Sequence, residues 1–144
     1  MKCWGFDLDG QLGLGGGPQS RGDKPGQMRD ALPRVDLGSQ EKAFQVAAGG
    51  SHSCALLDRG RVKCWGKNDH GQLGLGDTKG RGVAASEMGD ALAAVDLGGR
   101  RAVQIVAGSA YTCVMLEDGA VVCWGDNHNG ELGVGDTNDR GDAA

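Results

Sequence analysis

Short apolar runs bounded by Gly or Asp recur along the chain. In the middle of the sequence they cover residues 62–65, 94–97, 103–107 and 111–116, and they are rich in Val, Ile, Leu, Tyr or Cys. This composition favours β-strands. Helical periodicity is weak everywhere, and residues 86–92 allow a single helical turn at most. The pattern therefore predicts an all-β fold made of short strands.

These runs belong to a unit that repeats about every 60 residues. Cys-Trp-Gly begins at Cys3, Cys64 and Cys123, so the spacings are 61 and 59 residues. Later landmarks keep the same order: residues 10–15 match 71–76 and 130–135, residues 35–38 match 95–98, residues 45–49 match 104–108, and residues 54–60 match 113–119. Four strands per unit at this period, with one long loop, are typical of a propeller blade. We predict one domain over 1–144, with repeats at about 3–63 and 64–122 and a partial repeat at 123–144.

Composition and charge fit a β protein with many tight turns. The chain has 28 Gly and 3 Pro in 144 residues, and Gly60 and Gly119 follow Asp in segments that we interpret as hairpin turns. The net charge is −4, and the basic residues are scattered without forming a run. We therefore expect neither a nucleic-acid partner nor a membrane surface. No stretch approaches the 18 apolar residues of a membrane span.

One repeat motif is specific enough to suggest a family. The order Cys-Trp-Gly-x-Asn/Asp-x-x-Gly-Gln-Leu-Gly-Leu-Gly-Asp, then Val-Asp-Leu-Gly and Val-Ala-Ala-Gly-x-x-His-Ser-Cys-Ala-Leu, resembles the regulator-of-chromosome-condensation repeat over essentially the whole chain. The resemblance implies a seven-bladed β-propeller. Gly16 departs from it, where the later copies have Asp77 and Asp136, and Tyr111 stands where the preceding copy has His52.

The repeats predict a partial propeller of two four-stranded antiparallel blades plus an incomplete one. Nine strands can be counted, and the hairpin partner of Cys3 would lie upstream of Met1. Because blades bury their faces against neighbours, such a piece exposes two apolar faces. We expect a fragment whose partners include the remaining blades of the same propeller, and which is marginal or aggregation-prone alone.

The cysteines form a regular pattern within the hairpins. A three-residue turn at 58–60 places Cys54 directly opposite Cys64, and Cys113 and Cys123 repeat the arrangement. Directly opposed residues have Cα atoms about 4.5 Å apart, within the range of a disulfide. We predict two disulfides, with Cys3 left over. Buried, reduced cysteines acting as small apolar residues are the alternative.

Other candidate residues are interpreted as structural because they recur in every repeat. Trp4, Trp65 and Trp124 are expected to anchor blade against blade, and Leu73 and Leu75 to anchor the Gly-rich loop in the core. That loop lacks the endings of phosphate-binding motifs. The three His residues are each replaced at the equivalent position, so we interpret them as loop or core residues. We therefore predict no catalytic residue, no cofactor and no metal site.

Loops that differ between repeats point to binding rather than catalysis. The copies differ most at 16–27 against 77–87 and at 39–42 against 99–101. Loops on a rigid scaffold are where propellers bind partners, so we expect a non-catalytic protein–protein interaction module. The resemblance implies an alternative, guanine-nucleotide exchange on a small GTPase, and extends equally to propellers of ubiquitin ligases and of β-lactamase inhibitors. If the disulfides form, an extracellular or other oxidising compartment is expected.

Overall fold

Two antiparallel sheets of three strands each form the core of the chain in a computed structural model that describes residues 1–143. Their strands are β1 (Ala43–Ala48), β2 (His52–Leu57) and β3 (Val62–Gly66), which we name the first blade, and β4 (Ala102–Ala107), β5 (Tyr111–Leu116) and β6 (Val121–Gly125), which we name the second blade. Short 3-10 turns occupy Arg29–Ala31, Asp58–Gly60, Ala85–Glu87 and Gly89–Ala91. The predicted all-β fold is confirmed.

The predicted fourth strand of the first blade is the part that differs. Residues 94–97 run beside β3, but one backbone hydrogen bond joins them among the described residues, from Val95 N to Val62 O at 2.8 Å. The side chain of Asp96 accepts a hydrogen bond from Gly98 N and turns the chain away. A single bond does not make a ladder, so the blade has three strands and an edge segment. The preceding repeat pairs Val35 N with Met1 O in the same way.

Both blades use one hairpin register. In the first blade Cys54 lies opposite Cys64, and Leu57 N donates to Arg61 O across the turn Asp58–Gly60. In the second blade Cys113 lies opposite Cys123. The turn length sets this register, because a shift by one residue would exchange the two faces of each strand. The β1–β2 and β4–β5 pairs also share the position of one irregularity. Equivalent sequences therefore form equivalent sheets.

The blades pack face to face, so the first blade is covered on both sides. All six residues of β2 are buried. Cys54 and Leu56 pack toward the second blade, whereas Ala55 and Leu57 pack toward residues 1–37, the part of the chain before β1. The partners on the first of these sides include Ile105, Val114, Leu116 and Trp124, and those on the other side include Val35, Leu37, Trp65, Met88 and Leu92. This alternation is the pattern expected for a central blade. We call the contact with residues 1–37 the first junction and the contact with the second blade the second junction.

A helix with the length and apolar character needed to cross a membrane does not occur within residues 1–143.

Candidate functional site

The repeated tryptophans hold each blade to the Gly-rich loop of the preceding repeat. The Trp65 indole donates to the carbonyl of Gln11 at 3.0 Å, and Trp124 donates to that of Gln72 at 2.9 Å. Ser53 and Thr112 donate their hydroxyls to the same two carbonyls. Trp65 and Trp124 are buried, but Trp4, which follows no earlier copy of the loop within this chain, is 61% exposed. The same contact between tryptophan and loop therefore occurs twice, and it belongs to the structural framework that the repeats share.

Within the loop, one polar side chain closes the turn in every repeat. Asn68 Oδ1 accepts from Leu73 N, and Asn127 Oδ1 accepts from Leu132 N. Leu73 is fully buried beneath that turn, and Leu75 is partly buried against the core. Asp7 makes the same bond to Leu12 N, but burial raises the pKa of this carboxyl. These Asn and Asp residues therefore act as turn residues, as the repeats suggest.

His52 lies inside the second junction. Its Nε2 is 2.9 Å from the Thr112 hydroxyl, while Nδ1 has no hydrogen-bond partner among the described residues. Because the Thr112 hydroxyl donates to Gln72 O, the ring must donate through Nε2, which assigns the neutral tautomer. Burial lowers the pKa of His52 to about 4. The neutral, enclosed imidazole therefore acts as a packing group. Its protonation at low pH would lower the free energy of unfolding.

Both cysteine pairs are bonded in the structure. Cys54 and Cys64 join β2 to β3, Cys113 and Cys123 join β5 to β6, and each pair has Cα atoms 4.1 Å apart. Cys3 is a free thiol of intermediate burial, and burial raises its pKa. Gly60 and Gly119 end the two hairpin turns with φ of +74° and +85°, where a residue without Cβ is favoured.

Four arginines meet beside the first hairpin turn, which their spacing in the sequence does not reveal. Residues 94–97 and the connection at 99–101 form the walls of a groove of about 500 Å³ with that turn. We name it the arginine groove, after the four exposed side chains that line it: Arg59, Arg61, Arg100 and Arg101. One acidic residue, Asp96, also lines it. The fold therefore brings together basic residues that are scattered along the sequence.

Close backbone packing holds the groove in shape. A Cβ on Gly60 would lie 2.6 Å from the Cβ of Arg101, so the hairpin turn rests directly on the connection that leads into β4. Arg59 has φ +67°, a left-handed conformation at the tip of the turn. The Arg100 side chain donates Nε to Leu97 O at 3.2 Å. Two chain segments about 40 residues apart are thus fixed against each other, and the arginines on both of them are exposed.

Arg59, Arg100 and Arg101 form no ion pair with the residues that the structure describes, whereas Arg61 pairs with Glu41. Guanidinium groups offer several N–H donors in a planar fork that matches carboxylates. The arginine groove can therefore receive a carboxylate-bearing ligand without breaking an internal pair at these three residues.

The equivalent groove at the first junction has a different charge balance. It is lined by Arg34 and Lys42 but also by Asp36 and Glu41. In the second blade, Asp118 stands where the first blade has Arg59. A basic groove is therefore a property of one repeat and not of the frame, which makes it the strongest candidate for specific binding.

One further predicted feature differs from expectation, and one agrees with it. His70 and His128, treated above as unrelated loop residues, have ring centroids 5.5 Å apart. Large apolar side chains are also exposed at both ends of the stack. They include Trp4, Phe6, Phe44 and Val46 on one side and Val106, Met115 and Val121 on the other.

Comparison with known proteins gives a consistent picture. Two family models described as the regulator of chromosome condensation (RCC1) repeat match this chain, one at residues 3–56 and 59–87 and the other at residues 45–72 and 102–131. The ultraviolet-B receptor UVR8 of Arabidopsis thaliana is 40% identical over 67% of the chain. The probable E3 ubiquitin-protein ligase HERC4 of Homo sapiens is 38% identical over 71% of it. The chain spans 20% of the receptor and 9% of the ligase.

A yeast protein provides the structural comparison. Yeast RCC1 (Prp20), solved with bound Kap60, superposes with a TM-score of 0.67 at 22% identity, over 97% of this chain and 31% of that one. A second structure, Prp20p of Saccharomyces cerevisiae, gives a TM-score of 0.57 at 25% identity over 91% and 29% of the two chains, and its description includes binding to Gsp1p and histones.

Proposed function

Because the chain belongs to the regulator of chromosome condensation (RCC1) repeat family, we propose that it is a non-catalytic scaffold that binds an acidic segment of a protein partner through the arginine groove. The observation that carries this proposal is the convergence of four exposed arginines on one groove in a chain whose net charge is −4. A local positive field on an acidic protein selects ligands by charge pattern.

Carboxylates are the ligand chemistry that fits the groove. Arg59, Arg100 and Arg101 have no internal acidic partner among the described residues, so a carboxylate would replace water rather than a protein contact. Arg–carboxylate pairs are charge-assisted and frequently bidentate. A partner with several Asp or Glu residues in an extended segment would engage more than one arginine at once. The rigid backbone around Gly60 lowers the ordering cost of such binding.

The exposed apolar faces suit a different class of partner. Val46 is 45% exposed and Val121 is 65% exposed, whereas the equivalent residues Ile105 and Val62 are buried at the second junction. We infer that further blades of the same propeller cover these faces, leaving the arginine groove free at the rim. This fits the small share of each relative that the chain spans.

A fluorescent peptide of consecutive glutamates is the direct probe of the groove. We expect saturable binding by fluorescence anisotropy, weakened about tenfold or more in the triple variant Arg59→Ala, Arg100→Ala, Arg101→Ala, because tenfold corresponds to about 1.4 kcal/mol shared over three charged contacts. Binding should also weaken as salt is added, since the pairs are exposed.

A matched control removes three basic residues elsewhere. The variant Lys24→Ala, Arg34→Ala, Lys42→Ala makes the same change in net charge, with two of its residues in the balanced groove at the first junction. It should bind the peptide nearly as well as the parent chain. Equal weakening in both variants would show that net charge alone is responsible. Tighter binding of single-stranded DNA than of peptide would favour a nucleic-acid ligand, and either result overturns the proposal.

A second candidate function is a part of a guanine-nucleotide exchange factor for a small GTPase. It is favoured by the family membership and by the likeness to Prp20p, whose description reports binding to Gsp1p. Release of a fluorescent guanine nucleotide from a panel of small GTPases tests it. Acceleration by the full-length protein that contains this chain supports exchange, and no acceleration leaves scaffold binding as the function.

The two disulfides also bear on the cellular compartment in which the protein works. Two disulfides within one short chain persist under oxidising conditions. We therefore propose that the protein works outside the cell or in another oxidising compartment.

A further inference from the structure

At the rim of the second junction opposite the arginine groove, four metal-ligating side chains come together. His70 belongs to the loop after β3, and Asp126 and His128 belong to the equivalent loop after β6. Asp139 follows on the next part of the chain. Ligand atoms of all four lie within 4.8 Å of one another.

Two imidazole–carboxylate pairs make up the cluster. His70 Nδ1 is 2.9 Å from Asp139 Oδ2, and His128 Nδ1 is 2.5 Å from Asp126 Oδ1 and 3.6 Å from Asp139 Oδ1. In a tetrahedral site with bonds of about 2.0–2.2 Å, ligand atoms stand roughly 3.4 Å apart. The observed separations lie on both sides of this value, so side-chain rotations that move the ligand atoms by about 1 Å would bring them to the distances of a tetrahedral site.

Backbone groups hold the carboxylates in place. Asn127 N donates to Asp139 Oδ1 at 2.9 Å, and His128 N donates to Asp126 Oδ1 at 3.1 Å. His70 N in turn donates to the buried side chain of Gln72. Outer contacts of this kind orient ligating groups in metal sites. The cluster is thus positioned by the same loop turns that build the frame.

The equivalent place at the first junction contains a lysine, whose ammonium group supplies a positive charge without a bound ion. The positions equivalent to His70, Asp126 and His128 are Asp9, Lys67 and Asp69. There the Lys67 ammonium pairs with Asp69 at 3.0 Å, and the pKa of Lys67 is raised by Asp69 and, more weakly, by Asp9. At the second junction, the Asp126 carboxylate stands in place of that lysine. The imidazoles of His70 and His128 stand in place of the two carboxylates.

We propose that His70, His128, Asp126 and Asp139 form a binding site for a divalent transition-metal ion of the Zn²⁺ class, which bridges the loops of consecutive repeats where the first junction uses Lys67. Two imidazoles and two carboxylates match the ligand preferences of Zn²⁺ and its neighbours, whereas Ca²⁺ and Mg²⁺ prefer oxygen ligands alone. The four side chains come from two consecutive loops and the segment after them, so the ion fastens the second blade to the loop of the first.

Titration of the oxidised 144-residue chain with Zn²⁺ tests the site, using a Cys3→Ser background so that the free thiol cannot bind the ion. Isothermal titration calorimetry should show one saturable site per chain, and Co²⁺ should give the visible absorption of a tetrahedral centre. The thermal midpoint should rise with Zn²⁺ concentration by mass action.

Asp126→Lys is the decisive variant, because it introduces the residue that the first junction already uses at this position. It should keep the fold by circular dichroism and lose about a hundredfold or more in Zn²⁺ affinity, since loss of outer contacts alone costs 10–100-fold. His128→Ala should weaken binding similarly. Asp69→Asn, at the equivalent position of the first junction, should leave the affinity unchanged. No saturable binding by the folded chain, or binding that survives both Asp126→Lys and His128→Ala, would overturn the proposal.

Discussion

At the level of single residues, His52 shows how a change between repeats alters the chemistry of a conserved place in the frame. Its ring covers Gly49, just as the ring of Tyr111 covers Gly108 in the next repeat, and a Cβ on either glycine would lie 2.2 Å from the ring. A histidine side chain has an ordinary pKa of about 6.5, so a proton can be added to it within the pH range in which proteins work. The first blade has therefore placed a titratable group in a junction where its charged form has no partner.

We expect acid to weaken the second junction through His52. The pKa of His52 is lowered to about 4 from its ordinary 6.5, so the unfolded chain binds a proton more readily than the folded chain. The stabilisation due to the neutral ring is present above pH 6.5 and is lost as pH falls toward 4. The shift corresponds to roughly 3 kcal/mol at most, at 1.36 kcal/mol per pH unit.

His52→Gln checks this expectation, because glutamine can still donate to Thr112 and does not titrate. Chemical denaturation from pH 7 to pH 4 should show a smaller loss of unfolding free energy in the variant than in the parent chain. His128→Gln serves as control with the opposite sign, since its hydrogen bond to Asp126 raises the pKa of His128. Parallel curves for the parent and His52→Gln would mean that the ring does not titrate as described.

At the level of the element, the Gly-rich loop at 71–76 is a docking platform for the next tryptophan. Gly74 has φ +67°, and a Cβ there would lie 2.7 Å from the Trp124 indole nitrogen. Gly133 is the equivalent residue of the following repeat, with the same φ and no atom within 4 Å of its Cβ position. Gly74→Ala should therefore cost both backbone strain and the Trp124 contact, whereas Gly133→Ala should cost strain alone.

The pair of glycine variants separates these two costs. We expect Gly133→Ala to lose about 1 kcal/mol of unfolding free energy and Gly74→Ala about 3 kcal/mol, because the indole must also move from its hydrogen bond to Gln72. Urea denaturation followed by tryptophan fluorescence measures both. Equal losses would mean that the loop yields without disturbing Trp124.

The positions of the strands and the register of the hairpins were predicted well from the sequence. The strands predicted at 103–107 and 111–116 match β4 and β5 to within one residue, and Cys54 lies opposite Cys64 as predicted. Both follow from local rules, because strand propensity is local and turn length sets register. The fourth strand was predicted from the apolar run at 94–97, but strand propensity cannot show that one hydrogen bond is all that forms with β3. That outcome depends on the turn at Asp96 and on packing from the neighbouring repeat.

The candidate sites were hidden from the sequence for a related reason. Comparing repeats position by position sets His70 against Asn129 and His128 against Asp69, so each appears unmatched. At a junction, however, a residue contacts a different position of the next repeat, and His70 meets His128. The arginine groove likewise joins residues about 40 apart. Such contacts become predictable once the offset between facing positions is known from one junction.

At the level of the whole molecule, the two junctions share a frame and differ in charge at both rims. The first junction has a balanced groove at one rim and the Lys67–Asp69 ion pair at the other. The second has the arginine groove at one rim and the His–Asp cluster at the other. The rims lie at opposite ends of β2, because Lys67 N pairs with Ser51 O before the strand and the hairpin turn follows Leu57. A partner on one rim and a metal ion on the other could therefore bind together.

The disulfides tie these local features to the redox state of the whole chain. Both bonds join neighbouring strands within one blade, and Cys54 and Cys64 are fully buried in the core that the two blades share. Protein purified without reductant and then denatured should show one reactive thiol per chain, Cys3, and none in Cys3→Ser.

Reduction before denaturation should open Cys113–Cys123 first, because these cysteines are partly exposed whereas the other pair becomes accessible when the blades separate. Replacing Cys54 and Cys64 together by alanine should lower the free energy of unfolding by about 3 kcal/mol, as expected for releasing a loop of this size. Five reactive thiols in protein purified without reductant would contradict both the two disulfides and the oxidising compartment proposed for this chain.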